Sequence, residues 1–322
     1  MRAIVQDRFG PPDVLELREI DEPRVGDGDV LVRVRAASVN PADWYAMTGT
    51  PLVMRPTAGL RKPRTNRPGL DLAGVVAAVG GDVTGFKPGD EVFGTGAGTL
   101  AEYVAVAEDA LVAKPARLSF EQAAAVPVAA LTALQGLRDK GRVQPGHQVL
   151  INGASGGVGT FAVQLAKALG AEVTAVCSTR NVDAVRSLGA DRVVDYTRED
   201  FTRADGRYDL LLDVAGSRPW SASRRVLKPR AVLVLVGAPK GSRLLGPLGH
   251  FAKVSLASLR ASQKVVVFIS KSTPEDLTTL RELLEAGTVT PVVERTYALR
   301  DAAHALRYLG EGHARGKLVV TV

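Results

Sequence analysis

Cysteine is almost missing from this sequence: Cys177 stands alone among 322 residues. No internal disulfide can form and no thiolate cluster can hold a structural zinc, which fits a reducing compartment. Histidine is nearly as scarce, and His147, His250, His304 and His313 show no metal-ligand spacing. Aromatic residues make up only 5% and none interleaves with a basic segment, so a base-stacking nucleic-acid surface is not expected. No apolar run approaches the ~20 residues of a membrane helix. The opening "MRAIVQDRFG" has no apolar core of a secretory signal. The expectation is a soluble, cytoplasmic protein without nucleic-acid or membrane partners. Acids are outnumbered, 34 against 41 Lys and Arg. The bases are mostly scattered, apart from Arg55, Arg61, Lys62, Arg64 and Arg67 in one stretch and Arg224, Arg225, Lys228 and Arg230 in another. They read as solvated surface.

What is present changes character along the chain. The first ~120 residues hold short alternating segments between Gly and Pro turns, a β-rich pattern. "DVLVRVRAASV" is the clearest, with Val30, Val32 and Val34 on one face. From about Glu121 near-continuous apolar runs alternate with helical stretches: "HQVLIN", "EVTAVC", "DRVVDY", "YDLLLDVAG", "AVLVLVG" and "KVVVFIS". Six such strands imply a parallel sheet covered on both faces, enough for two mononucleotide-binding halves. A helix over 274–286, another over 301–309 and a closing strand "KLVVTV" follow. That strand has no helix after it and is free to return to the N-terminal part. The fold class is α/β, with a β-rich domain from residues 1–122 and 271–322 around a doubly wound Rossmann domain over 123–270.

Between the first two parallel strands lies Gly153-Ala-Ser155-Gly156-Gly157-Val158-Gly159. Glycines at this spacing give a tight turn, let a pyrophosphate approach the backbone and pack a helix closely on a strand. The following helix aims free N–H groups and a positive dipole end at the ligand. Cofactors with a free ribose 2′-hydroxyl usually meet an acid some 20 residues further on. This sequence has "CSTRN" there. Ser178 can donate and Arg180 can clasp a phosphate, favouring NADPH; the alternative is a surface loop with an incidental arginine. Tyr196 either approaches the same phosphate or packs. Ala215 and Gly237 end the fourth and fifth strands and leave room for a nicotinamide ring, or simply end strands.

The ordered set "VRVRAASVNPADW", "PGLDLAGVVAAVG", "FKPGDEVFG", "AEYVAV", "VPVAALTAL", "GASGGVGTFAVQLAK" and "GKLVV" resembles the medium-chain dehydrogenase/reductase superfamily, in its zinc-independent quinone oxidoreductase branch. The resemblance spans the whole chain. It implies a GroES-like catalytic domain and a Rossmann cofactor domain. Zinc-dependent relatives carry Cys where Asn40 stands and Gly-His-Glu at Gly69-Leu70-Asp71, so neither a catalytic nor a structural metal is expected. Asp71 then serves a backbone hydrogen bond. The resemblance places Asn40 near the nicotinamide and has Thr132 hydrogen-bond on that side; the bland readings are a turn before Pro41 and a helix hydroxyl bonded to its own backbone. Enoyl-thioester reductases add a proton-donating tyrosine, at a place that falls near Pro51 here; Tyr45 lies earlier and is the catalytic candidate closest to it. Trp44, Phe93, Leu248 and Phe251 are candidate substrate walls, each equally able to be core. Lys317 either reaches the cofactor or is a surface lysine, and Cys177 reads as a small buried hydrophobe. The basic stretch 48–67 is a solvated loop or a lid over an anionic acceptor.

The function expected is NADPH-dependent, zinc-independent hydride transfer to quinones or other α,β-unsaturated carbonyls, by a homodimer paired through an edge such as "KVVVFIS". An enoyl or alkenal reductase of secondary metabolism and a non-catalytic NADPH-binding sensor are the alternatives.

Overall fold

The computed structural model describes residues 1–203, 206–238 and 244–322. The chain divides into two units, Met1–Leu131 with Ser272–Val322, and Thr132–Lys271. The first boundary falls after Leu131 rather than at residue 122. The reason is local: the short helix Phe120–Ala124 packs on the strands Asp29–Val39 and Asp71–Val79 and so belongs with them.

In the first unit seven strands form one sheet around Asp29–Val39. Up to Arg35 this strand alternates buried valines with wetter neighbours, as read; from Ala36 to Val39 every residue is buried. Register shifts at Leu31/Val32 and Val34/Ala36 bend it. One half can then pair with Tyr103–Ala107 and the other with Lys317–Thr321. The closing strand does return to this unit, and it also pairs in parallel with Val293–Ala298. That last strand was not expected from sequence. It is a sheet-end strand with no buried residue, so it lacks the apolar run that betrays the others.

The second unit is a six-stranded, all-parallel sheet. Its strands in chain order are Gln148–Asn152, Glu172–Cys177, Arg192–Asp195, Tyr208–Asp213, Leu227–Leu235 and Lys264–Val267. Their spatial order is third, second, first, fourth, fifth, sixth. The order reverses between the first and fourth strands, which is where open α/β sheets bind dinucleotides, beyond the strands' carboxyl ends. A full helix was expected between the fourth and fifth strands. The structure has one helical turn, Trp220–Ser223, and a 3-10 turn, Arg224–Val226, after Pro219. Among the described residues no helix is long and apolar enough to cross a membrane.

Candidate active site

In the second unit the glycine turn leaves the first strand at Gly153, whose φ of +89° suits only glycine comfortably. Gly153 N and Ala154 N both donate to Val176 O of the second strand, at 3.2 and 3.0 Å. A Cβ on Gly159 would lie 2.1 Å from Gly153 O, so a bare backbone is what lets the helix Gly157–Ala168 sit against the turn. Gly156 differs. A Cβ there would meet only Gly153 O at 3.7 Å, so the protein's own packing does not demand glycine at this position. No acid occupies the first turn of the helix, whose free N–H groups and dipole favour an anion.

Ser155 and Ser178 are held by a residue the sequence reading overlooked. Asn181, 6% exposed, donates from Nδ2 to Ser155 Oγ at 3.0 Å and to Ser178 Oγ at 3.1 Å. The only signal was its position three residues beyond Ser178. Arg180 and Tyr196 are exposed at the carboxyl ends of the second and third strands. Asp195, in register with Cys177 on the third strand, is itself engaged: the Thr179 hydroxyl donates to it at 2.5 Å and is the first cause that holds its carboxyl below the usual range. Cys177 is buried, and burial pushes its thiol up to about 11.

At the point where strand order reverses, Asn152 ends the first strand and Asp213 the fourth, directly opposite each other. Asn152 Nδ2 and Gly216 N each donate to Asp213 Oδ1 at 2.7 Å. Ala215 N donates to Asn152 O, and Gly237 N to Asp213 O. A Cβ on Gly237 would fall 1.9 Å from Val214 O. Ala215 and Gly237 therefore lie where expected, at the strand ends, and they belong to an interlocked floor. Neither Asn152 nor Asp213 was a candidate from sequence, since a polar residue closing an apolar run looks like an ordinary strand end. Thr132 Oγ1 shares a hydrogen bond with Ser270 Oγ at 2.8 Å. Leu248 is exposed, while Phe251 is half-buried against the core beneath its helix. Ser242 and Arg243, upstream of the helix Pro247–Ala257 that carries both, lie outside the described residues.

The first unit holds a buried polar cluster. Lys317, read as a surface lysine or a cofactor contact, is 4% exposed. Its Nζ donates to Asn40 Oδ1 at 2.5 Å and pairs with Asp71 Oδ2 at 3.3 Å. Asp71 is completely buried and also accepts from Ser38 Oγ, Asn40 Nδ2 and Val128 N, at 2.7, 2.8 and 3.0 Å. The Val128 contact is the backbone bond expected of Asp71; the ammonium was not foreseen. Both amide ends of Asn40 are thereby engaged. For Phe93 and Trp44 the structure shows the packing that their core reading expects. Phe93 is fully buried on its strand, and Trp44 packs on the core with its ring against Gly310. Tyr45 is half-buried, and burial raises its phenol. The 48–67 stretch is not structureless: it forms the turns Leu52–Met54 and Arg55–Ala58, Asn66 O accepts from Gln6 N, and Arg55 lies 4.8 Å from the Phe9 ring centroid.

Asp43 accepts from Asn40 N at 2.7 Å and Gly69 N at 3.2 Å, and burial raises its carboxyl to about 7. Its folded value lies above the unfolded one, so its proton stabilises the fold fully below about 4, and that contribution is lost as pH rises through about 7. Relative to Asp43→Asn, the parent's first unit is expected to lose about 2 kcal/mol of stability between pH 5 and pH 7, measured by urea unfolding at each pH. A constant difference between the two proteins across that range would refute it.

Comparison with known proteins agrees with this fold. Residues 26–116 match the family "Alcohol dehydrogenase GroES-like domain" and residues 188–320 the family "Zinc-binding dehydrogenase". The chloroplastic quinone-oxidoreductase QR1 of Triphysaria versicolor is 33% identical, over 99% of this chain and 98% of its own. The NADPH-dependent alkenal/one oxidoreductase of Arabidopsis thaliana is 34% identical, over 99% and 79%. The solved structure of the Escherichia coli quinone oxidoreductase complexed with NADPH superposes with a TM-score of 0.83 at 26% identity, over 100% and 99%. The chain belongs to the medium-chain dehydrogenase/reductase superfamily, in its quinone oxidoreductase branch. It is an oxidoreductase of the quinone or enone reductase type.

Proposed function

We propose that this chain is an NADPH-dependent reductase of quinones and other α,β-unsaturated carbonyls that works without zinc. The observation that carries the reading is the second strand's ending. A glycine turn built for a pyrophosphate is followed by Ser178 and the exposed Arg180, with no acid to meet a free 2′-hydroxyl. The NADPH held by the Escherichia coli relative supports the same choice. When bound, a reduced nicotinamide supplies the hydride. The residues of this chain bind and orient: helix N–H groups take the pyrophosphate, Arg180 the 2′-phosphate, and the strand-end floor receives the ring.

The donor chemistry argues against zinc. Where the resemblance places metal ligands, Asn40 and Asp71 already hold the Lys317 ammonium, and Leu70 offers no donor. The lone cysteine lies in the other unit. An acceptor that is already electrophilic, a quinone or enone, needs no Lewis acid. The name of the Arabidopsis thaliana relative favours alkenals and enones as a second acceptor class. A homodimer through the sixth strand fits its having one neighbouring strand among the described residues, and the exposure of Val267 at its end and Ile269 just beyond. Cytoplasm fits the single buried thiol.

NADPH oxidation followed with a simple quinone, an enone and an enoyl thioester tests the function; binding without turnover on all three would leave a sensor. Arg180→Ala is expected to reduce the preference for NADPH over NADH ten- to a hundred-fold, roughly 1.4–2.8 kcal/mol, in steady-state kcat/KM. An unchanged ratio would remove Arg180 from the phosphate site.

A further inference from the structure

The Asp213–Asn152 pair is bonded in a way that a plain strand end is not. Asp213 is 1% exposed and Asn152 3%. Asp213 Oδ1 receives Asn152 Nδ2 and Gly216 N, while the Asp213 carbonyl receives Val236 N and Gly237 N at 3.0 and 3.2 Å. The Asn152 carbonyl receives Val214 N and Ala215 N at 2.9 and 3.2 Å, and its amide also reaches Ser217 Oγ at 3.1 Å. The side-chain bond between Asn152 and Asp213 joins the carboxyl ends of the first and fourth strands, and the backbone carbonyl of Asp213 ties in the end of the fifth, at the reversal of strand order. Glycine makes the fit possible: at Gly216, with φ +60°, an added Cβ would lie 2.5 Å from Ala238 Cα and Gly237 O.

We infer that Asp213 is a positioning residue whose ionised carboxylate holds the 213–217 turn in the shape that receives the dinucleotide, making cofactor affinity fall on mild acidification. The inference rests on the cofactor reading above. The buried carboxylate accepts hydrogen bonds that tighten when it is charged and slacken when it is protonated. Burial raises this carboxyl to about 6, against the opposing hydrogen bonds from Gly216, Asn152 and Ala215. No charged side chain contributes to that shift. Arg218 on the same turn is directed to Asp200 and the Phe201 ring. Asp209, at the opposite end of the same strand, pairs with Lys228 of the fifth strand. On the remaining side the first helical turn after Gly156 carries no acid.

The sign follows from linkage. The turn is well formed when Asp213 is ionised, so dinucleotide binding favours the deprotonated form and weakens as pH falls through about 6. NADH is the probe, because it lacks the 2′-phosphate that titrates in the same range. Its dissociation constant, measured by calorimetry on the intact protein from pH 8 to pH 5, is expected to rise about five- to ten-fold, most of it below pH 6.5. In Asp213→Asn the amide can no longer ionise. Its constant should resemble the parent's at pH 5 and stay flat with pH, with Trp220 emission, read in a Trp44→Phe background, reporting that the second unit is folded. A parent constant that is flat across the range overturns the inference and leaves the cofactor reading intact. A pH dependence that persists unchanged in a folded Asp213→Asn also overturns it. Failure of both NADH and NADPH to bind at any pH would overturn the cofactor reading and this inference together.

Discussion

Asp71→Ala is expected to destabilise the first unit by about 3–5 kcal/mol, because it strands an ammonium in the interior. Lys317 is 4% exposed, and among the described residues Asp71 is the carboxylate that pairs with it. The substitution also leaves Ser38 Oγ, Asn40 Nδ2 and Val128 N without their acceptor. Unsatisfied buried donors cost about 1–3 kcal/mol each when nothing replaces the partner, although such terms are not additive within one network. Replacing both charges, Asp71→Leu with Lys317→Met, is expected to recover a large part of the loss, since an apolar pair of similar volume can match a buried ion pair. The sequence has two tryptophans, Trp44 in the first unit and Trp220 in the second. Urea unfolding followed through Trp44 in a Trp220→Phe background therefore reads the first unit alone. A loss below 1 kcal/mol for Asp71→Ala would show that the ammonium finds water or another acceptor.

Gly159→Val should nearly abolish dinucleotide binding. Its Cβ would lie 2.1 Å from Gly153 O and 2.7 Å from Ala154 Cα and C, all backbone atoms that cannot swing aside. The helix must shift off the turn, and its first N–H groups then miss the pyrophosphate. A loss of a hundred-fold or more in NADPH affinity, about 3 kcal/mol, is expected by calorimetry. Gly156→Ala is the instructive companion. It meets no protein atom closer than 3.7 Å, so stability should hold while affinity falls because the methyl occupies ligand space. Equal affinity for NADPH in the parent and Gly159→Val would mean that the pyrophosphate does not lie on this turn.

Much of this architecture could be read from the chain. Alternation over Val30, Val32 and Val34 gave a strand with one wet face, and the near-continuous apolar runs gave a parallel sheet. The glycine turn was legible because its constraints are local: a positive φ at Gly153 and a helix packed on Gly159 need residues only six apart. Asp213 and Asn152 were not legible, because their bond joins residues 61 apart in sequence. Lys317 and Asn40 meet across 277 residues, and nothing near either one signals that a lysine will be buried. Phe93 shows the same limit from the apolar side. Pattern places an aromatic on a strand, but only the closed sheet decides whether its outer face is solvent or core.

The strand Lys317–Thr321 lies between Val293–Ala298 and Asp29–Val39 and carries the cation that Asp71 binds. During translation every residue of the second unit has been made before this strand exists, so that sheet can assemble while the ribosome is still working. The first unit must wait with a gap in its sheet and a lone carboxylate at Asp71. Nascent chains stalled shortly before residue 317 should therefore expose the flank of Asp29–Val39 to chaperones and proteases, whereas the nucleotide-fold portion would already resist digestion.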